Sequence, residues 1–227
     1  MNGHNFILCG TRCTALPTGA LYLPDQRCLC VSDLHLGKSD RIARRSGFML
    51  PPYEVQETLE KLQDDIRRLN PQTVICLGDS FDDLDAAQSL HEDMRFLLTG
   101  LQAGREWIWI EGNHDPGPVD LGGAHLAQIK IGTLTFRHIA TPEKAEVSGH
   151  YHPKHRLTGR SRPTFVYDQN RLILPAYGAY TGGLSCNAPD LRKLFGPKAV
   201  AVLTGRKAIA VPLTETPQRV HLRGRSY

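Results

Sequence analysis

No stretch of the 227 residues comes near the roughly 18 consecutive apolar residues that a membrane-spanning helix requires. The first ten residues lack a basic start followed by an apolar run, which predicts no cleaved secretory signal and makes the cytoplasm the expected compartment. The six cysteines form no CxxC pair, so buried free thiols are expected rather than a disulfide framework or a zinc site. Internal repeats, low-complexity segments and linkers are absent, and so are helix-turn-helix and zinc-finger patterns, which argues against sequence-specific recognition of nucleic acid. No strong charge of either sign is present: 27 Lys and Arg against 23 Asp and Glu leave +4, which permits an anionic partner without demanding one.

What remains is an ordinary globular composition, 41% hydrophobic and 22% charged, at a length that predicts one domain spanning residues 1–227. Ala20 to Leu23 and Arg27 to Ser32 read as strands joined by a Pro24-Asp25 turn. Val55, Leu59, Leu62, Ile66 and Leu69 recur at helical spacing over Tyr53 to Leu69, and Pro71 ends that helix. Thr73 to Leu77 reads as a buried strand, Ala86 to Leu101 as a second helix, and Glu106 to Glu111 as a strand. The second half is mostly strands: Ala127 to Ile131, Thr133 to Ile139, Glu146 to Ser148, Thr164 to Tyr167, Leu172 to Leu174, and a hairpin of Val200 to Thr204 with Ala208 to Val211. Strand–helix alternation followed by strands predicts an α/β fold of two packed mixed sheets flanked by helices.

Five polar signals fall at the ends of predicted strands. They are Asp33-Leu34-His35, Gly78-Asp79-Ser80-Phe81-Asp82, Gly112-Asn113-His114-Asp115, the lone His138, and Gly149-His150-Tyr151-His152. Taken singly, each has a bland reading: a chance Asp-x-His pair, a turn, a structural histidine, a polar loop. Taken together and in order they carry about two metals' worth of carboxylate, imidazole and amide oxygen, a donor set suited to divalent first-row ions. Loops at the carboxyl ends of neighbouring strands converge on one point, which is where such donors would meet.

As an ordered set these motifs resemble the calcineurin-like metallophosphoesterase superfamily, whose pattern runs DxH, GDxxD, GNH(D/E), a lone His, then GHxH; the match spans Asp33 to His152. The resemblance implies that Asp33, His35 and His152 hold one metal, that Asn113, His138 and His150 hold a second, and that Asp79 bridges them. His125 is the fallback for His138. It further implies that His114 assists the leaving group and that Asp82 orients His114 through a hydrogen bond; the plainer role for Asp82 is capping the helix that follows. His155 lies beyond the motif and reads as a surface or substrate-side residue.

The flanking segments, DLHLGKS with the basic stretch after it, Leu50-Pro51-Pro52, and Leu174 to Leu184, are similar to those of the bacterial ligase-associated DNA damage response endonucleases. That similarity implies a manganese-dependent phosphodiesterase cutting DNA in repair, encoded near a DNA ligase and a helicase. Iron and zinc also suit the donors, and many members of the wider family pair as dimers. Arg-Gly follows GDxxD in the protein phosphatases of the superfamily; here Asp83-Leu84 follows, which argues against a phosphoprotein substrate.

Lys38, Arg41, Arg44 and Arg45 either contact substrate phosphates or form a solvated helix face. Tyr177 and Tyr180 have the chemistry to stack on unpaired bases, which favours single-stranded DNA, or to pack in the core. The competing function is a small-molecule phosphodiesterase, acting on a cyclic nucleotide or a nucleotide pyrophosphate. A non-catalytic scaffold of the same fold predicts lost ligand positions, and every motif position is present.

Overall fold

The computed structural model describes residues 2–39, 53–118, 120–157 and 159–213. Arg41, Arg44, Arg45, the Leu50-Pro51-Pro52 step and the basic segment after Pro217 lie outside the described residues.

The first sheet runs in the order β1 (His4–Leu8), β2 (Thr11–Ala15), β3 (Leu21–Leu23), β4 (Cys28–Val31), β5 (Thr73–Leu77), β6 (Glu106–Ile110), β7 (Ala124–Leu126). Strands β1 to β4 are antiparallel, whereas β4 to β7 are parallel. Cys9 and Gly10 turn the β1–β2 hairpin with φ of +46° and +84°, the two positive values that a two-residue turn between twisted strands requires.

The second sheet is formed by β8 (Gln128–Ile131), β9 (Leu134–Arg137), β10 (Glu146–Ser148), β12 (Arg160–Tyr167), β13 (Arg171–Ile173), β14 (Val200–Leu203) and β15 (Ile209–Pro212). Its order is β15-β14-β12-β13-β10-β9-β8, with β11 (Lys154–Leu157) added on β12. Here β9, β10 and β13 are parallel.

Period-two alternation sorts the apolar residues into layers. Cys28, Cys30, Ile75, Leu77, Ile108 and Ile110 face the second sheet and meet Phe136, Val147, Phe165, Leu172 and Val202. The alternate residues Leu29, Val31, Val74, Cys76, Trp107 and Trp109 face the helices. Cys28 and Cys30 thus share the inner face, and all six cysteines are free.

Helix α1 (Glu54–Leu69) buries Leu59, Leu62 and Ile66 against the first sheet and stops at Asn70, whose φ of +45° breaks the helix. The second predicted helix is two: α2 (Leu84–Gln88) and α3 (Glu92–Gln102). The break has a local cause. The Asp83 carboxylate accepts from Ala86 N at 2.7 Å to start α2. Ser89 turns its hydroxyl back onto the Asp85 carbonyl, and His91 caps a fresh start at Glu92 and Asp93. Among the described residues, the outer face of the second sheet has a short helix, α4 (Pro189–Arg192), and its flanking loops, which bury Cys186, Leu191 and Phe195 over Val166 and Ile173. Among the described residues no helix is long and apolar enough to cross a membrane.

Phe136 is fully buried between the sheets. Phe136→Ala is expected to cost about 3–5 kcal/mol. A chemical-denaturation loss below about 1 kcal/mol would mean that the inter-sheet layer is not the core.

Candidate metal centre

All five polar signals follow a strand. Asp33 and His35 come after β4, Asp79 after β5, Asn113 and His114 after β6, His138 after β9, and His150 and His152 after β10. The first three strands are parallel neighbours in one sheet, and β9 and β10 are parallel neighbours in the other. Both sheets therefore deliver their loops to one end of the sandwich.

Backbone hydrogen bonds between loops fix the approach. Asp33 N donates to the Gly78 carbonyl and His35 N to the Asp79 carbonyl; across the sheets, Tyr177 N donates to the Ser32 carbonyl. Asp33, His35, Asp79, His150 and His152 have φ between +45° and +69°, five of the ten non-glycine positions with positive φ among the described residues. That backbone region is sparsely populated by residues with a Cβ, and its concentration at one point marks a site over-determined by its surroundings.

Two clusters result, Asp33 with His35 and His152, and Asp79 with His138 and His150; the donor atoms within each lie within 4.8 Å of one another. Asn113 joins the second, its Oδ1 3.0 Å from His138 Nε2. His138 rather than His125 occupies this place: His125 stacks on Trp109, its ring centroid 6.3 Å away.

The two aspartates are held alike. Asp33 Oδ2 accepts from His150 N at 3.0 Å and lies 2.5 Å from Ser32 Oγ. Asp79 Oδ1 accepts from His114 N at 2.9 Å. Their other oxygens turn to the imidazoles, with Asp33 Oδ1 3.0 Å from His152 Nε2 and Asp79 Oδ2 3.3 Å from His138 Nε2. Burial alone would raise both aspartate pKa values, and the facing histidines outweigh it, so both carboxyls sit below the usual range.

The donor geometry asks for cations. His138 Nδ1 lies 3.1 Å from the Leu77 carbonyl, which can only accept, so Nδ1 carries the proton. A neutral ring then directs its Nε2 lone pair at two oxygens, those of Asn113 and Asp79. In the other cluster His35 Nε2 and His152 Nε2 face each other at 3.3 Å. Asp33 Oδ1 is fully buried and faces His152 Nε2 at 3.0 Å. Lone pairs converging on common points in a buried, carboxylate-rich setting are satisfied by positive ions between them. Without one, the proton serves: burial works against a charged His138, but Asp79 and Asp33 prevail and raise its pKa.

Asp82, Asp83 and Tyr177 take definite places. The Asp82 Oδ1 is 3.2 Å from His35 Nδ1, and the Asp82 backbone carbonyl lies 3.0 Å from His114 Nδ1. The helix cap is Asp83, one residue on. Tyr177 is fully buried with its hydroxyl on Asp65 Oδ2 at 3.0 Å, so it packs in the core and offers no stacking face. Tyr180 is half exposed and lines a cleft beside His152. Lys38 is half-buried just beyond the first motif, and His155 is half-buried on β11.

One residue acquires a role that its motif did not announce. Asp115 is buried and its carboxylate accepts from the backbone N–H groups of Asp79, Ser80, Phe81 and Gly112 at 2.7–3.1 Å. It ties the loop carrying Asp79 to the loop carrying Asn113. The signal in the sequence was its position directly after Gly-Asn-His, but no spacing rule says which loop it grips. The glycines serve closeness as well as turning: a Cβ on Gly149 would sit 1.8 Å from Ser32 Oγ and 2.5 Å from Asp33 Oδ2.

Side-by-side His/Asp clusters at the joined ends of two mixed sheets define a metal-dependent phosphoester hydrolase. The chain belongs to the calcineurin-like phosphoesterase family, which it matches over residues 26–199. No curated protein matches it. Among solved structures it is similar in fold to the Pseudomonas putida nuclease MPE, at 23% identity and a TM-score of 0.73, over 92% of this chain and 100% of that one.

Asp115→Ala leaves three buried N–H groups and the half-buried Gly112 N without their acceptor and is expected to cost about 3 kcal/mol or more, seen as a lower unfolding midpoint together with weaker metal binding. An unchanged midpoint would remove the tie. Adding Mn²⁺ at roughly a hundred times its dissociation constant is expected to raise the midpoint by about 5–10 °C, and chelation to reverse it. The gain should shrink as pH falls through about 6.5, because protons compete for the imidazoles; His138, with its raised pKa, takes a proton first. A midpoint indifferent to metal would show that the clusters bind none.

Proposed function

We propose that this phosphoesterase is a manganese-dependent DNA endonuclease of repair, acting on single-stranded DNA. The observation that carries the hydrolytic part is the pair of clusters opening together beside His114. The similarity in fold to a protein named as a nuclease supports a nucleic-acid substrate.

In this reading Asp33, His35 and His152 would hold one ion and Asn113, His138 and His150 the other, with Asp79 available to both. Two divalent ions in that donor set would offset phosphate charge and acidify water, the chemistry a phosphodiester requires. Oxygen and nitrogen donors without thiolate suit manganese, iron or zinc, and manganese is the choice the family resemblance implies.

The chain's own part is proton management. His114 Nδ1 donates to the Asp82 carbonyl, so Nε2 is the position free to take and give a proton. The ring stands edge-on to His35, with centroids 5.3 Å apart, which keeps it against the cluster. Once Nε2 has taken a proton from solvent, it gives that proton to the departing oxygen. Asp82 serves twice: its carbonyl sets the tautomer of His114, and its carboxylate sits behind His35, 3.2 Å from Nδ1, where it orients a ligating imidazole. Association with a DNA ligase and a helicase, homodimer formation and a cytoplasmic location complete the proposal on the same resemblance.

A small-molecule phosphodiesterase is the second reading, favoured by the cleft beside His152, whose volume of about 340 Å³ would take one nucleotide. Covalently closed single-stranded and duplex circles, assayed with Mn²⁺ beside an aryl phosphodiester, separate the two. Cut circles mean an endonuclease; intact circles with aryl ester hydrolysed move the substrate to small molecules. His114→Ala is expected to slow DNA cleavage by about 10²–10⁴ and to spare the aryl ester, whose leaving group departs without a proton. Equal losses on both would refute the role.

A further inference from the structure

From Gly149 to Tyr167 the chain has Lys154, Arg156, Arg160 and Arg162 and not one Asp or Glu. This stretch leaves the second cluster directly: His152 is followed by β11, which turns back as β12 with Lys154 opposite Pro163 and Leu157 opposite Arg160. β12 is longer than β13 and β14, its other neighbours. Pairing with β14 begins at Thr164 opposite Leu203, so the Arg160–Pro163 half projects beyond β14. Beside that projection lies the turn between β14 and β15, which carries Arg206 and Lys207.

Arg160, Arg162, Arg206 and Lys207 line one open groove with Pro163, Thr204, Gly205 and Ile209. Arg160, Arg206 and Lys207 are exposed and Arg162 half exposed. None of the four is in an ion pair with a carboxylate among the described residues.

This groove adjoins the cleft beside His152. Pro163 and Thr204 line both, and that cleft also holds His152, Lys61, Lys154 and Tyr180. Lys154 Nζ donates to the Thr181 carbonyl at 2.8 Å, and Lys61 Nζ to the Tyr177 carbonyl. Each ammonium gives one of its three N–H groups to the loop that walls the cleft. Lys61 has Asp65 and Glu57 near it, so the net positive charge grows outward, from Lys154 to the unpaired groove.

Charges on a projecting hairpin also keep a sheet edge from pairing with another chain. Either sign serves that purpose. Here one sign is used throughout, and it extends to a turn on a different strand pair and back to the reacting centre.

Resting on the endonuclease reading, we infer that Lys154, Arg160, Arg162, Arg206 and Lys207 form a phosphate track that carries the DNA strand away from the scissile bond. The β11 leg, three residue steps long, is about 10 Å. The track contains no base-reading pattern, so it would bind backbone without regard to sequence.

The test compares wild type with Arg160→Glu/Arg162→Glu and Arg206→Glu/Lys207→Glu, all at solvent-facing positions, with unfolding midpoints as the check on folding. The readouts are KM for a single-stranded DNA circle at several salt concentrations and the hydrolysis of an aryl phosphodiester too small to reach the groove. The expected result is a KM for DNA about tenfold higher or more, a slope against log salt shallower by about 0.7 for each phosphate no longer neutralised by a side chain, and the aryl ester turned over as before. Wild type and variants cutting DNA with the same KM and salt slope would overturn the track and leave the endonuclease reading intact. Equal losses on DNA and on the aryl ester would also overturn it, since the effect would then lie in the centre. A wild type that leaves DNA whole while hydrolysing the aryl ester would overturn the endonuclease reading, and the track with it.

Discussion

The architecture of the site depends on holding two buried carboxylates by one oxygen each. Asp33 and Asp79 sit almost without solvent exposure a short distance apart, an arrangement that mutual repulsion and lost hydration would forbid if nothing compensated. Backbone N–H groups and Ser32 grip one oxygen of each, and the other oxygen is left facing imidazole. A ligand fixed in this way cannot rotate out of place, so its geometry is prepared before any cation arrives. The strained φ values at Asp33, His35, Asp79, His150 and His152 are the backbone counterpart of the same constraint.

That constraint explains why the fold needs two sheets. Parallel strands β4, β5 and β6 bring Asp33, His35, Asp79 and Asn113 to one edge, and β9 and β10 bring His138, His150 and His152 to the matching edge of the other sheet. The apolar layer of Ile75, Leu77, Phe136 and Phe165 sets the spacing between them. Packing energy thus offsets the electrostatic cost of the centre, and Asp115, with four accepted N–H bonds, keeps two of the loops in step.

Charge is distributed in layers around this core: buried anions at the centre, imidazoles around them, and lysine and arginine further out along β11, β12 and the turn before β15. A polyanion meets attraction at the rim before it meets the reacting atoms, the arrangement that raises encounter rates without tightening the site itself.

By itself the sequence determined the donor chemistry and most of the secondary structure. Alternating apolar residues announced the strands, a helical stripe announced α1, and glycine beside Asp, Asn or His announced the loops, because these are local properties of adjacent residues. It did not reveal β1, β2, β7 or β11, whose residues mix polar and apolar types, nor the break at Ser89 to His91, where side-chain caps decide between one helix and two. What only the tertiary structure decided was partnership. The Asp82 carboxylate belongs to His35 and its carbonyl to His114; Tyr177 lies inside and Tyr180 outside; Lys154 and Arg206, 52 positions apart in sequence, line neighbouring clefts that share Pro163 and Thr204. These are contacts between residues distant along the chain, and their identity follows from how two sheets pack, which no spacing in a single strand encodes.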